Sequence, residues 1–168
     1  YDLTPYVTPG ETATIAVRVD NAQQKNSRWY SGSGIYRHVW LTIAGPVRVD
    51  HWGTTVTTPE VSTEKAVVAC AVRVVNDSGA DANVDVCASL IDTDGGSVDS
   101  SSCRRQSVDL LVQAQDITGN LTIELPNPRL WSPESPHLYT LRVTIERDGE
   151  VLDTYDTRFG IRTLNFDA

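Results

Sequence analysis

Leu138-Tyr-Thr-Leu-Arg-Val-Thr-Ile-Glu146, then Asp148-Gly149, then Val151-Leu-Asp-Thr-Tyr-Asp-Thr-Arg158 is the stretch that decides the class of fold. Apolar and polar residues alternate in the first run and, more loosely, in the second, which puts one apolar face on each of two strands. The Asp-Gly pair accepts positive φ, the requirement of a tight two-residue hairpin turn. The same period of two recurs upstream in Val68-Ala-Cys-Ala-Val-Arg-Val74 and Val84-Asp-Val-Cys-Ala-Ser-Leu90. Between those runs, Asn76-Asp-Ser-Gly79 is a turn cluster of residues suited to positive φ or to side-chain capping. Asp94-Gly95-Gly96 closes the next hairpin in the same manner. Further strands are expected at Ile15 to Val19, Tyr36 to Ile43, Val47 to Trp52, Val98 to Ser102, Ser107 to Val112 and Leu121 to Leu125. Helical periodicity is nearly absent. Strands about 8–12 residues apart with turn signals between them predict an all-β chain built as an antiparallel sandwich.

The strand pattern places one complete sandwich over 41–159. Residues 1–40 offer two or three strands and a Gly/Ser-rich loop, too little to bury their own apolar faces. Residues 160–168 read as a connector. A chain without methionine that opens at Tyr1 has the look of a piece cut from a longer protein, so missing targeting signals are uninformative. Localisation stays open, with bacterial cytoplasm and periplasm both compatible. The 168 residues carry a net charge of −8 and 40% apolar residues. That balance fits a globular chain and repels phosphate backbones and anionic lipid, so neither nucleic acid nor membrane is an expected partner. A neutral sugar meets no such barrier.

Cys70, Cys87 and Cys103 are spaced for neither a zinc site nor a redox motif. Cys70 shares parity with Val68, Val72 and Val74 and is expected in the core, whereas Cys87 points outward. Three free thiols is the preferred reading, with one disulfide and a leftover thiol as the alternative. His38, His51 and His137 lack a visible carboxylate or metal partner in the sequence and read as ordinary hydrogen-bonded side chains.

Asn26-Ser-Arg-Trp-Tyr-Ser-Gly-Ser-Gly-Ile-Tyr-Arg37 joins aromatics, arginines and glycines in one loop. Flat rings that cover the C–H face of a sugar, beside donors for its hydroxyls, are the chemistry of carbohydrate binding. Packing of Trp29, Tyr30 and Tyr36 at a domain junction explains the same composition and is preferred on composition alone. In Leu130-Trp-Ser-Pro-Glu-Ser-Pro-His-Leu-Tyr139, Pro133 and Pro136 hold the backbone extended so that Trp131 covers one end of the sandwich.

That loop, preceded by Asp20-Asn21, resembles the stretch where glycoside hydrolase family 2 enzymes leave their sugar-binding jelly roll. Leu130 to Tyr139 is similar to a mark late in the family's immunoglobulin-like domain, and Phe159-Gly-Ile-Arg162 to the junction with its catalytic barrel. The loop and Trp52-Gly53 to Pro59 are most similar to bacterial β-galactosidases. The resemblance implies that 1–40 ends a jelly roll, 41–159 is an immunoglobulin-like β-sandwich, and 160–168 begins the connector to a TIM barrel. It implies a parent that is a retaining exo-glycosidase of carbohydrate metabolism, whose two catalytic glutamates stand on barrel strands outside this chain. The chain itself is then a non-catalytic spacer without hydrolytic activity. Some members carry a substrate- and cation-contacting aspartate on the loop, but here no Asp or Glu lies between Asn21 and Asp50. No metal or cofactor is expected, and Asn26, Arg28 and Trp29 are the candidate substrate contacts within the parent. The implied partners are the parent's other domains, carbohydrate through the parent's active site, and a possible second copy of the chain. A stand-alone carbohydrate-binding module is the competing reading, motivated by the aromatic loop. An adhesion domain of immunoglobulin type is disfavoured by the outward parity of Cys87.

Overall fold

The computed structural model describes residues 1–23, 32–93, 95, 98 and 103–164. The chain divides into two units, Tyr1–Thr42 and Ile43–Ala168.

Among the described residues the second unit holds eight strands: β1 (Val47–Val61), β2 (Lys65–Asn76), β3 (Ala82–Ile91), β4 (Arg104–Leu110), β5 (Ala114–Ile117), β6 (Leu121–Pro126), β7 (Tyr139–Arg147) and β8 (Glu150–Phe159). One sheet is ordered β1-β2-β5, with β6 also bonded to β2; the other is ordered β4-β3-β7-β8. Every pairing is antiparallel. This is an immunoglobulin-like sandwich. Its core forms where the alternating residues meet: Val68, Cys70, Val72 and Val74 of β2 face Val84, Val86, Ala88 and Leu90 of β3 and Leu141, Val143 and Ile145 of β7. Full burial of each such valine, leucine or isoleucine is worth about 1.5–3 kcal/mol, so this face and not hydrogen bonding selects the register. The β7–β8 turn has the geometry that its Asp-Gly sequence requires, with φ of 53° at Asp148 and 82° at Gly149.

β2 changes neighbour part-way along. Lys65 to Cys70 pair with β6, and Arg73 to Asn76 pair with β5. Thr118 fills the step: its N–H donates to the Val72 carbonyl at 2.9 Å, and its Oγ1 accepts the Val72 N–H at 3.0 Å. One buried residue thereby substitutes for a strand where neither β5 nor β6 reaches.

Three expectations need correction. No strand precedes Val47 among the described residues; Tyr1–Thr42 contains one short 3-10 turn, Thr4–Tyr6. Ile15, Val17 and Val19, like Ile35, Tyr36, Val39 and Leu41, stand exposed. Alternation fixes which face of a segment is apolar, but a strand also needs a neighbour to bond to, and none is supplied among the described residues. Secondly, Cys87 and Cys103 form a disulfide, which replaces the three-thiol reading. Cys87 keeps its outward parity and is bridged on the outer face of the second sheet, while Cys70 is the buried free thiol. Thirdly, the strand expected from Ser107 to Val112 ends at Leu110, because Ala114 N–H bonds back to the Leu111 carbonyl and turns the chain into β5. Of the strand expected at 98–102, Val98 donates to the Leu90 carbonyl without joining a strand, and 99–102 lie outside the described residues.

Candidate functional site

Acidic side chains are the first place to look for bond-breaking chemistry. Asp85 on β3 and Glu146 on β7 are cross-strand neighbours on the outer face of the second sheet. Both are held by one guanidinium, with Arg105 bonding Asp85 at 3.0 Å and Glu146 at 2.7 Å. Ser107 Oγ donates to Asp85 and Thr144 Oγ1 to Glu146. The bonds from Ser107 and Arg105 hold the Asp85 carboxyl below the usual carboxylate range. A general acid requires the opposite, a carboxyl kept protonated by an apolar pocket. Further along the same face, Arg142 bonds both oxygens of Asp156 and lowers its carboxyl in the same direction. This face is a charge-paired surface.

A second cluster closes one end of the sandwich. His137 Nε2 stands 3.0 Å from Asp92 Oδ1, an electrostatic contact and not an aligned hydrogen bond. Asp92 also accepts from Arg129 and from the N–H of Thr93. Burial opposes ionisation of Asp92, yet these bonds outweigh it and keep the carboxyl low. Tyr139 meets the His137 ring edge-on and its hydroxyl accepts the Arg129 N–H at 2.8 Å. His137 therefore does have a carboxylate partner. Sequence reading missed it because Asp92 lies 45 positions upstream and only folding brings the two together.

The same end fixes the way out of β8. Trp131 N–H donates to the Ile161 carbonyl at 2.8 Å, and the Arg162 guanidinium lies over the Trp131 ring, 5.0 Å from its centre. Gly160 lies against that ring: an added Cβ would meet Cβ, Cγ and Cδ1 of Trp131 at 3.0 Å. The two motifs at Leu130 to Tyr139 and Phe159 to Arg162 are thus one packed unit. Gly160→Ala is expected to push Trp131 off Arg162 and to cost about 1–2 kcal/mol in a urea titration, the ordinary range of overpacking. An unchanged midpoint would mean that the ring is not held.

β1 carries a distorted stretch of backbone. Val49 pairs with Val74 and Thr54 with Val72, so Asp50 to Gly53 all stand opposite Arg73. Within this bulge Trp52 has φ of 53°, and the residue is 83% exposed. His51 stacks on the Trp52 ring with centroids 5.2 Å apart and planes 22° apart. Asp50 lies 3.6 Å from Arg73. Gly53 admits no side chain, since a Cβ would sit 2.8–2.9 Å from backbone atoms of Asp50 and Arg73. On either side of the bulge β1 is tied to β8, by Val49 N–H to Asp153 and by Thr54 to Thr157.

The candidate substrate contacts Asn26, Arg28 and Trp29 lie outside the described residues. Among the described residues no group of three or more His, Cys, Asp or Glu side chains is placed to hold a metal ion.

Comparison with known proteins adds to this geometry. A family model described as glycosyl hydrolases family 2 matches residues 47–162, the span of the sandwich and its exit. Beta-galactosidase BoGH2A of Bacteroides ovatus is 46% identical over 170 residues; the match takes in 100% of this chain and 19% of that protein. A putative beta-glucuronidase of Formosa agariphila is 32% identical over 98% of this chain and 15% of its own length. Among solved structures, a glycosyl hydrolase family 2 member from Bacteroides cellulosilyticus superposes with a TM-score of 0.79 at 32% identity, covering 88% of this chain and 20% of that one. The chain spans about a fifth of the length of the relatives that it matches.

Proposed function

Because the chain belongs to the glycosyl hydrolases of family 2, we propose that it is the non-catalytic β-sandwich spacer of a retaining exo-glycosidase of the β-galactosidase kind. One observation carries this reading: the adjacent carboxylates Asp85 and Glu146 are bridged by Arg105 on the outside of a sheet, with Asp85 lowered in pKa. Retaining hydrolysis needs two carboxyls about 5–5.5 Å apart across a bound sugar, one of them protonated. Carboxylates tied to a shared guanidinium on an open sheet face, with Asp85 held below the usual carboxylate range, are not arranged to attack an anomeric carbon or to protonate a leaving group.

In this reading 1–40 closes a sugar-binding jelly roll, 41–159 is the spacer and 160–168 leads toward a catalytic barrel. Asn26, Arg28 and Trp29 would touch carbohydrate only within the parent active site. The rigid exit at Trp131, Gly160 and Arg162 supports a spacing role, since a misplacement of about 1 Å can cost two orders of magnitude in rate. The partners are the parent's other domains, with a second copy of the chain as a further candidate.

The test is direct. Purified chain mixed with chromogenic β-galactoside and β-glucuronide is expected to release no more chromophore than buffer. Robust, saturable turnover that survives repurification would remove the spacer reading.

A further inference from the structure

Trp52 is out of place by two measures. A bulky side chain rarely takes φ near +53°, and a large ring rarely stands almost wholly in water. Both features are held in place from outside the residue. Gly53 lets the chain pass tightly over Asp50 and Arg73, the ties to β8 fix the two ends of the bulge, and His51 stacks on the ring. A strained conformation that its surroundings maintain points to use.

We propose that the Asp50–Gly53 bulge is a carbohydrate-binding site, in which Trp52 stacks on the C–H face of a neutral pyranose and Asp50 and Arg73 bond its hydroxyls. The make-up of the bulge selects this ligand over a protein partner. The core of a protein interface is depleted in charge, whereas the bulge that presents this ring also carries a carboxylate at Asp50, paired with the Arg73 guanidinium, and an imidazole at His51 stacked on the ring. A sugar presents the matching combination, one apolar face surrounded by groups that both donate and accept. The chain's charge of −8 favours a neutral sugar over an acidic one. With one ring as platform, affinity is millimolar, suited to holding a chain of sugars near an enzyme and not to sequestering it.

The site goes beyond the spacer reading, on which only the choice of probe rests; sugar binding and hydrolysis are separate readouts and can fail separately. The experiment titrates methyl β-D-galactopyranoside into the 168-residue chain, following saturation transfer to the sugar protons and the indole N–H resonances. Saturation of the sugar's C–H protons is expected, together with a shift of the Trp52 indole that levels off at millimolar sugar. Arg73→Ala is expected to weaken binding several-fold. Trp52→Gly is expected to lose the saturation signal at least about tenfold, while its thermal midpoint holds or rises because glycine takes the left-handed backbone without strain. The proposal is overturned if the unsubstituted 168-residue chain gives neither signal. It is overturned equally if Trp52→Gly still receives full saturation, which would move the site to another ring, or if Trp52→Gly melts lower, which would make the ring structural.

Discussion

Asn76→Ala is expected to lower the stability of the sandwich by about 2–4 kcal/mol. Asn76 ends β2 with 0% exposure and is one of two buried polar residues among those described. Its Nδ2 donates to the carbonyls of Ala80, Leu110 and Leu111 at 3.0, 3.3 and 3.2 Å. Its Oδ1 accepts from the N–H and hydroxyl of Ser78. One amide thus joins the end of a strand in the first sheet, the following turn and the end of β4 in the second sheet. Alanine leaves one buried and two part-buried carbonyls without this donor, and each costs of the order of 1 kcal/mol even after the chain relaxes. For a domain of this size the loss corresponds to a midpoint lower by roughly 10 °C. Asn76→Asp is a stricter variant, because it keeps the acceptor for Ser78 but turns a carboxylate oxygen toward three carbonyls. It is expected to be at least as damaging at neutral pH. A calorimetric loss under about 1 kcal/mol for both would show that water replaces the amide.

Gly53→Ala is expected to be the most damaging single-methyl change in β1. The new Cβ would lie 2.8 Å from the Asp50 carbonyl oxygen and 2.9 Å from both the Asp50 nitrogen and the Arg73 carbonyl oxygen. All three are backbone atoms, so no side chain can swing away to make room. Relief requires β1 to lift off β2 at the bulge, a loss of about 2–3 kcal/mol by analogy with overpacked cores. Gly79→Ala is the control, since nothing lies within 4 Å of its added methyl. It should shift the urea midpoint by no more than about 0.5 kcal/mol equivalent. Equal behaviour of the two variants would mean that the bulge yields easily, and Trp52 would then not be rigidly presented.

Much of the sandwich was legible because its strands announce both period and turn. β7 and β8 could be read from the alternation around Asp148-Gly149, and β2 and β3 from valines at every second position. β5 was not legible: Ala114-Gln-Asp-Ile117 has no inward apolar series, and its pairing is decided by the free edge that β2 offers at Arg73 to Asn76. The second half of β1 was missed for a similar reason, since Thr54 to Val61 mixes threonines with Pro59 and owes its register to β2. At Ile15 to Val19 the error ran the other way, a correct period with no neighbour to bond. The site was legible only in composition. His51 and Trp52 are adjacent in the sequence, but nothing local foretells a left-handed tryptophan; that follows from the clearance over Gly53 and from the ties to β8. The contact of His137 with Asp92 depended likewise on a carboxylate far away in the chain.

The odd cysteine count has a chemical sequel. Disulfides reshuffle only when a thiolate reaches one of their sulfurs. Burial pushes the Cys70 thiol up to about 11, so at pH 7 only roughly one molecule in ten thousand carries the reactive anion, and that sulfur is enclosed between the sheets. The Cys87–Cys103 bridge lies on the outside of the second sheet, away from it. Folding therefore acts as its own proofreader: once the β2 face is packed, the native pairing is kinetically locked, and scrambling becomes a symptom of the unfolded chain alone.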